Sequence, residues 1–282
     1  MDDESWTRDG IRVHGGGPAI GDGAGQPVLL LLHGLAANGA VWDGWRPVLR
    51  RHWPGRWLAP DLPGHGGSDP LDDYRFHTLA SAVARILDPG QRLVVLGHSL
   101  GGVLGLTLAG DRFALPIEAV VGLGVKVAWS EEELTRFAAL AQRPVAWFDS
   151  RGEAAARYLR ISGLDGLLDP DSPTVDAGLR SDDGRWRLAL DPSAFAVGAP
   201  DMVELLAGSR AEVTLARGER DQMVSREQLT RLVPAPVTLP GLGHNAHVED
   251  PAAVFELLRP CLDAERLPDA RPLRTGGATP SD

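Results

Sequence analysis

Short apolar runs recur along the chain, each followed by a loop and then by residues at helical spacing. VLLLL (Val28–Leu32) runs into HGLAANG, RWLAPDL (Arg56–Leu62) into PGHGGSD, and RLVVLG (Arg92–Gly97) into HSLGG. EAVVGLGV (Glu118–Val125) follows the helix-like stretch Leu100–Ala109, and EVTLARGERD and VTLPGLGH repeat the arrangement further on. Strands that are apolar throughout, separated by helices, belong to a sheet covered on both faces. The pattern predicts an α/β fold with a mostly parallel central sheet and helices on both sides.

The rhythm breaks between residues 126 and 200. That stretch holds the helical patterns EEELTRFAALAQ and GEAAARYLRIS, Pro/Asp-rich turns such as LDPDSPTVD, and no convincing core strand. It reads as a helical cap, residues 126–200, inserted into a core made of residues 1–125 and 201–267. The glycine-rich stretch IRVHGGGPAIGDGAGQP predicts an antiparallel hairpin with a loose loop. Neither a helix start nor a GK[ST] follows those glycines, so they do not read as a phosphate loop. Residues 268–282 have the composition of a disordered terminus.

Composition narrows the function. A chain of 282 residues, 43% hydrophobic, can bury a sizeable core. Its net charge of −10 argues against nucleic acid as a partner, since phosphate binding needs a basic face. The single cysteine, Cys261, excludes an internal disulfide and a cysteine-based zinc site. The acidic start MDDESWTRDG lacks the basic and apolar parts of a signal peptide, and the apolar runs are too short to cross a bilayer. The expectation is a cytoplasmic protein without membrane insertion, acting on a small molecule.

The chemistry centres on LVVLGHSLGG, where an apolar strand ends at a Gly-x-Ser-x-Gly. With the strand ending at Gly97 and a helix starting after Ser99, the hydroxyl stands at the carboxyl edge of the sheet. Gly97 and Gly101 leave room for the sharp turn and for close strand–helix packing. Leu100 then offers its N–H at a helix N-terminus, where it can stabilise an oxyanion. A bland reading, a serine serving only as a small turn residue, competes with this one.

A serine nucleophile needs a base, and the base needs an acid to hold its tautomer. His244 follows the last predicted strand and can reach the same sheet edge; His247 is its competitor. Asp221 lies a few residues beyond the strand VTLA, with Glu219 as the alternative. His98, His33 and His65 read as residues that pack or shape loops. The pair His244 and His247 forms H-x-x-H without a matching carboxylate, so no metal is expected. The chain order Ser99, Asp221, His244 is that of the α/β-hydrolases.

With LLHGLAANGAVW, DLPGHGGSD, GHSLGG, GERDQMV and GLGHNAHVEDP in this order, the chain resembles the capped branch of the α/β-hydrolase fold family. The resemblance implies a Ser–His–Asp triad, no cofactor, and the N–H of Leu35, after His33-Gly34, as a second oxyanion donor. It also implies that Trp42 packs beneath that loop and that Asp61 with Gly64, His65 and Gly66 forms the turn after the preceding strand. Dehalogenases and epoxide hydrolases of this fold use aspartate where Ser99 stands. Dehalogenases usually carry tryptophan in place of Leu100, and epoxide opening typically uses two cap tyrosines where this cap has only Tyr158. What remains is hydrolysis of esters, lactones or thioesters, with carbon–carbon hydrolases and cofactor-free lyases or synthases sharing the triad. A ligand-binding module without turnover is the other class, separated by assay of a p-nitrophenyl ester. For the pocket, His33, Trp129, Trp147, Phe148, Trp186 and Phe195 are the candidates, and packing within the cap is the alternative for each aromatic. They suggest a medium-sized, mainly apolar substrate.

Overall fold

The computed structural model describes residues 4–18 and 25–262. The predicted disordered terminus, 268–282, lies outside the described residues. So does part of the glycine-rich stretch expected to form a loose loop.

Ten strands are present among the described residues: β1 (Glu4–Arg8), β2 (Ile11–Gly16), β3 (Val28–Leu32), β4 (Trp57–Pro60), β5 (Leu93–His98), β6 (Ile117–Leu123), β7 (Leu179–Asp182), β8 (Arg185–Leu188), β9 (Glu212–Gly218) and β10 (Val237–Leu239). Eight form one sheet in the order β1-β2-β4-β3-β5-β6-β9-β10, while β7 and β8 pair only with each other. From β4 to β10 every pairing is parallel; β1–β2 and β2–β4 are antiparallel. This is an α/β fold with a mostly parallel sheet.

Alternation within each strand explains the continuous apolar runs. In β3, Leu30 and Leu32 enter one buried cluster while Leu29 and Leu31 enter the other. In β5, Val95 faces the first and Val94 and Leu96 the second. Helices cover both faces: α1 (Arg46–His52), behind the turn of helix Gly39–Trp45, on one; α2 (Phe76–Arg85) and α3 (Leu100–Leu108) on the other. Each fully buried Leu or Val contributes about 1.5–3 kcal/mol, so a strand with two dry faces must be apolar throughout.

Two hairpins depart from the sequence reading. The N-terminal one is β1–β2, earlier than the glycine-rich stretch suggested, and it turns on Asp9-Gly10 with φ of 50° and 75°. The second, β7–β8, lies in the segment expected to be helical and turns on Asp183-Gly184 with φ of 45° and 76°. Both pairs adopt the left-handed conformation that two-residue hairpin turns require. The same segment, between β6 and β9, carries α4 (Glu131–Ala141), α5 (Arg151–Ser162) and α6 (Pro173–Ala177).

The chain leaves β3 for β4 on one side and returns to β5 on the other. The carboxyl ends of β3 and β5 therefore flank the point where strand order reverses. Open α/β sheets place their ligand crevice there.

Candidate active site

Ser99 stands between β5 and α3 with φ 49° and ψ −113°, a conformation rare for a residue with a side chain. Such a backbone costs about 1–3 kcal/mol and persists only where its surroundings enforce it. Its N–H donates to Leu123 O at 2.8 Å, and its carbonyl accepts from Gly102 N–H at 3.0 Å. The flanking glycines are sterically required. A Cβ on Gly97 would lie 2.2 Å from Gly101 O, and one on Gly101 2.2 Å from Leu32 O. Leu100 opens α3, so its N–H has no acceptor within the helix and points out of the N-terminus.

His244 and Asp221 meet at the same sheet edge. Nδ1 of His244 donates to Asp221 Oδ2 at 3.0 Å, which leaves Nε2 as the nitrogen free to accept a proton. Asp221 is buried, and its other oxygen accepts Met223 N–H at 2.8 Å. Burial alone would raise its pKa. The hydrogen bond from His244, with Met223 N–H and the charge of Arg217, outweighs that and lowers it. Arg217, which the sequence reading did not single out, organises this loop by donating to the carbonyls of Val224, Glu219 and Asp221 at 2.6, 2.9 and 2.8 Å. Glu219 turns away, accepting Gly241 N–H at 2.8 Å.

The other histidines have different surroundings. Both ring nitrogens of His247 are buried without a hydrogen-bond partner, and burial lowers its pKa to about 3. Its ring lies 4.2 Å from that of His98 and 4.7 Å from Trp42. His98 Nε2–H donates to His244 O at 3.0 Å, tying the end of β5 to the histidine loop.

The loop after β3 is held by two more buried imidazoles. Leu62 N–H donates to His33 Nε2 at 2.8 Å, so the His33 proton sits on Nδ1, which donates to Gly34 O at 2.8 Å. Ala36 N–H donates to His65 Nε2 at 3.1 Å, and His65 Nδ1 donates to Pro63 O at 2.9 Å. Each Nε2 accepts an N–H, so both rings are neutral, and burial depresses both pKa values, that of His33 to about 3. Asp61 closes the set by accepting from Gly39 N–H and Gly67 N–H, each at 2.6 Å. Leu35 lies between these anchored points.

Ser99, Leu100, Leu35, His98 and His244 line one cavity of about 300 Å³. Of the expected pocket aromatics, Trp129 and Phe195 line it, joined by Phe76 and Phe137, which sequence did not identify. The remaining candidates do not. His33 is fully enclosed behind the loop. Trp147 lies under the guanidinium groups of Arg185 and Arg187, at 5.8 and 5.7 Å. Phe148 and Trp186 exchange backbone hydrogen bonds and pack against the opposite core cluster. Tyr158 is buried too, accepting from Asn38 Nδ2 at 2.9 Å. No group of three or more His, Cys, Asp or Glu among the described residues could hold a metal ion.

The sheet order, the strained serine turn and the Asp–His pair define the α/β-hydrolase class. The chain belongs to the alpha/beta hydrolase family, whose sequence model matches residues 29–257. It is 27% identical over 257 residues to 2-succinyl-6-hydroxy-2,4-cyclohexadiene-1-carboxylate synthase of Serratia proteamaculans, covering 84% of this chain and 93% of that protein. A shorter match is to an uncharacterized Mycobacterium bovis protein, 35% identical over 36% of this chain and only 28% of its own length. An esterase structure from Mycobacterium tuberculosis superposes with a TM-score of 0.71 at 25% identity, covering 93% of this chain and 91% of that one. The structure of E-2-(acetamidomethylene)succinate hydrolase gives 0.74 at 24%, covering 93% and 100%, a likeness of fold. No helix among the described residues is long and apolar enough to cross a membrane.

Proposed function

We propose that the protein is a serine hydrolase that cleaves an ester or thioester through an acyl-enzyme. Ser99 attacks the carbonyl while His244 Nε2 takes its proton, and Asp221 holds the imidazole in that tautomer and stabilises the imidazolium. The N–H groups of Leu35 and Leu100 receive the oxyanion. His244 then protonates the leaving group and activates water to release the acid. The carrying observation is the 3.0 Å His244–Asp221 bond, with His244 and the strained Ser99 on one cavity. The esterase and lipase relatives support the same reaction class.

The test is labelling with a serine-reactive phosphonate. Mass spectrometry should place the adduct on Ser99, and a p-nitrophenyl ester should turn over steadily until the label is complete. Labelling elsewhere, or none with no turnover, would sink the reading.

A second reading has one specific support, the likeness to the Serratia synthase over nearly that protein's whole length. On it, the triad serves a cofactor-free lyase or synthase reaction without an acyl-enzyme. Quenched reactions separate the two, since only the hydrolase leaves an acyl group on Ser99.

A further inference from the structure

A second cavity, of about 560 Å³, adjoins the catalytic one and shares Phe137, Arg160, Ile161 and Phe195 with it. Four arginines line it, Arg136, Arg143, Arg157 and Arg160, and no carboxylate does. The local sequence puts them together. Arg157 and Arg160 are three apart on α5 and share a face; Arg136 lies on α4, and Arg143 follows just beyond its end.

Among the described residues, none of the four guanidinium groups has an ion-pair or side-chain hydrogen-bond partner. Nearby cations are treated differently: Arg151 is paired with Asp171 and Asp176, and Lys126 with Glu133. A chain of net charge −10 has acids to spare, yet the charged side chains that line this otherwise apolar cavity are all cations. Four like charges around one hollow repel each other, and an anion bound there reverses the sign of that interaction. Guanidinium forks suit phosphate oxygens in particular, which accept two parallel N–H donors.

We propose that this cleft binds a phosphate-bearing arm of the substrate's leaving group, with Arg160, at the junction of the two cavities, guiding the arm toward the carbonyl at Ser99. The assignment rests on the serine hydrolase reading and narrows it to anionic thioesters or esters. For a thioester, water's oxygen joins the acyl carbon and the acyl–sulfur bond breaks. The thiol leaves with the proton from His244, carrying its phosphates out through the arginine cleft. A hollow that shares a wall with the catalytic cavity favours an arm of the substrate over a docked protein.

The experiment compares matched acyl pairs, from acetyl to octanoyl, on coenzyme A and on the uncharged N-acetylcysteamine. Both present the same thioester; only the first carries phosphates. The coenzyme A form should have a kcat/KM about tenfold or more higher at low salt, through KM, and the advantage should shrink as salt rises. Arg143→Gln combined with Arg157→Gln should bring the two forms close together, with folding checked by thermal melting. Direct titration of coenzyme A into Ser99→Ala protein should show the same dependence on the arginines. Equal turnover of both forms overturns the assignment and leaves the serine reading standing. So does a preference seen only when the acyl group rides on an acidic carrier protein, which would make the arginines a protein-docking face. Absence of turnover on every probe, with no phosphonate label on Ser99, overturns both readings.

Discussion

His65 Nε2 accepts the N–H of Ala36 at 3.1 Å, joining the turn after β4 to the loop after β3. Ala36 has φ of 66°, so that loop is held away from its relaxed backbone at the residue next to Leu35. The bond acts through position, because His65 is fully buried and does not line the catalytic cavity. His65→Ala should therefore lower kcat more than it changes KM. The loss should be about 10–100-fold, below the ~10²–10³ of removing an oxyanion donor outright. If KM alone moved, the loop would serve ground-state binding, and Leu35 would lose its place in the mechanism.

The proposed triad predicts unequal effects among neighbouring residues. Ser99→Ala and His244→Ala should each lower kcat by ~10⁶, the scale for removing a triad nucleophile or base. Ser99→Gly should be as inactive but more stable in urea, because glycine relieves the φ of 49°. Asp221→Asn should lower kcat by ~10⁴, most of the His244 loss on a logarithmic scale, since it removes the acceptor that fixes the tautomer. Glu219→Gln should retain most activity, its carboxylate being engaged with Gly241. A dead glutamine variant beside an active Asp221→Asn would exchange the two roles.

Much of this was legible in the sequence because each feature has one physical cause. Apolar runs such as VLLLL mark strands dry on both faces, and Gly-x-Ser-x-Gly marks a turn where no Cβ fits. The N-terminal hairpin is legible in the sequence but its first strand is not, because ESWTR is mostly exposed and carries no apolar run; its Asp9-Gly10 turn was the available signal. Asp183-Gly184 was the same signal for β7–β8. The pocket was legible only in part. Composition supplied aromatic residues without saying which helix face meets the cavity, so Phe137 went unnoticed while Trp147 was included. Arg217 was hidden for a different reason: it works through backbone carbonyls, which leave no complementary acid to find.

Acid should destabilise the fold well above the range where carboxylates titrate. His33 and His247 are buried neutral with folded pKa values of about 3, against an ordinary value of 6.5. The unfolded chain therefore binds more protons between those values, and stability falls as pH drops through that window. Between pH 7.5 and 5.0 each of these histidines should contribute a loss of about 2 kcal/mol. Asp61 and Asp221, whose folded pKa values are lowered, lose their contributions only further down. Urea midpoints across that range provide the measurement. His247→Phe should flatten the dependence without lowering stability at pH 7.5, because it keeps a ring between Trp42 and His98 while removing two buried nitrogens that have no partner. An unchanged pH slope in that variant would mean that His247 does not stay neutral when buried.

Acyl selectivity should follow the residues that face the 300 Å³ cavity and ignore those that do not. In the proposed mechanism the triad and the two N–H donors touch only the reacting carbonyl, which all esters and thioesters present alike. Among substrates with one leaving group, discrimination must come from contacts to the acyl chain, where each buried methylene is worth only ~1–3 kcal/mol. Phe195 and Phe137 are placed to supply such contacts, with ring centroids 5.9 Å apart on the wall that also borders the arginine cleft. Phe195→Ala should enlarge the cavity and move the optimum toward longer p-nitrophenyl esters, by about 10-fold in relative kcat/KM. Trp147→Ala should leave the chain-length profile in place, because that indole packs against Arg185 and Arg187 away from the serine. The profiles can be read directly from acetate through decanoate. If Trp147→Ala shifted the optimum and Phe195→Ala did not, the acyl group would lie along the opposite wall, and the cavity around Ser99 would hold the leaving group instead.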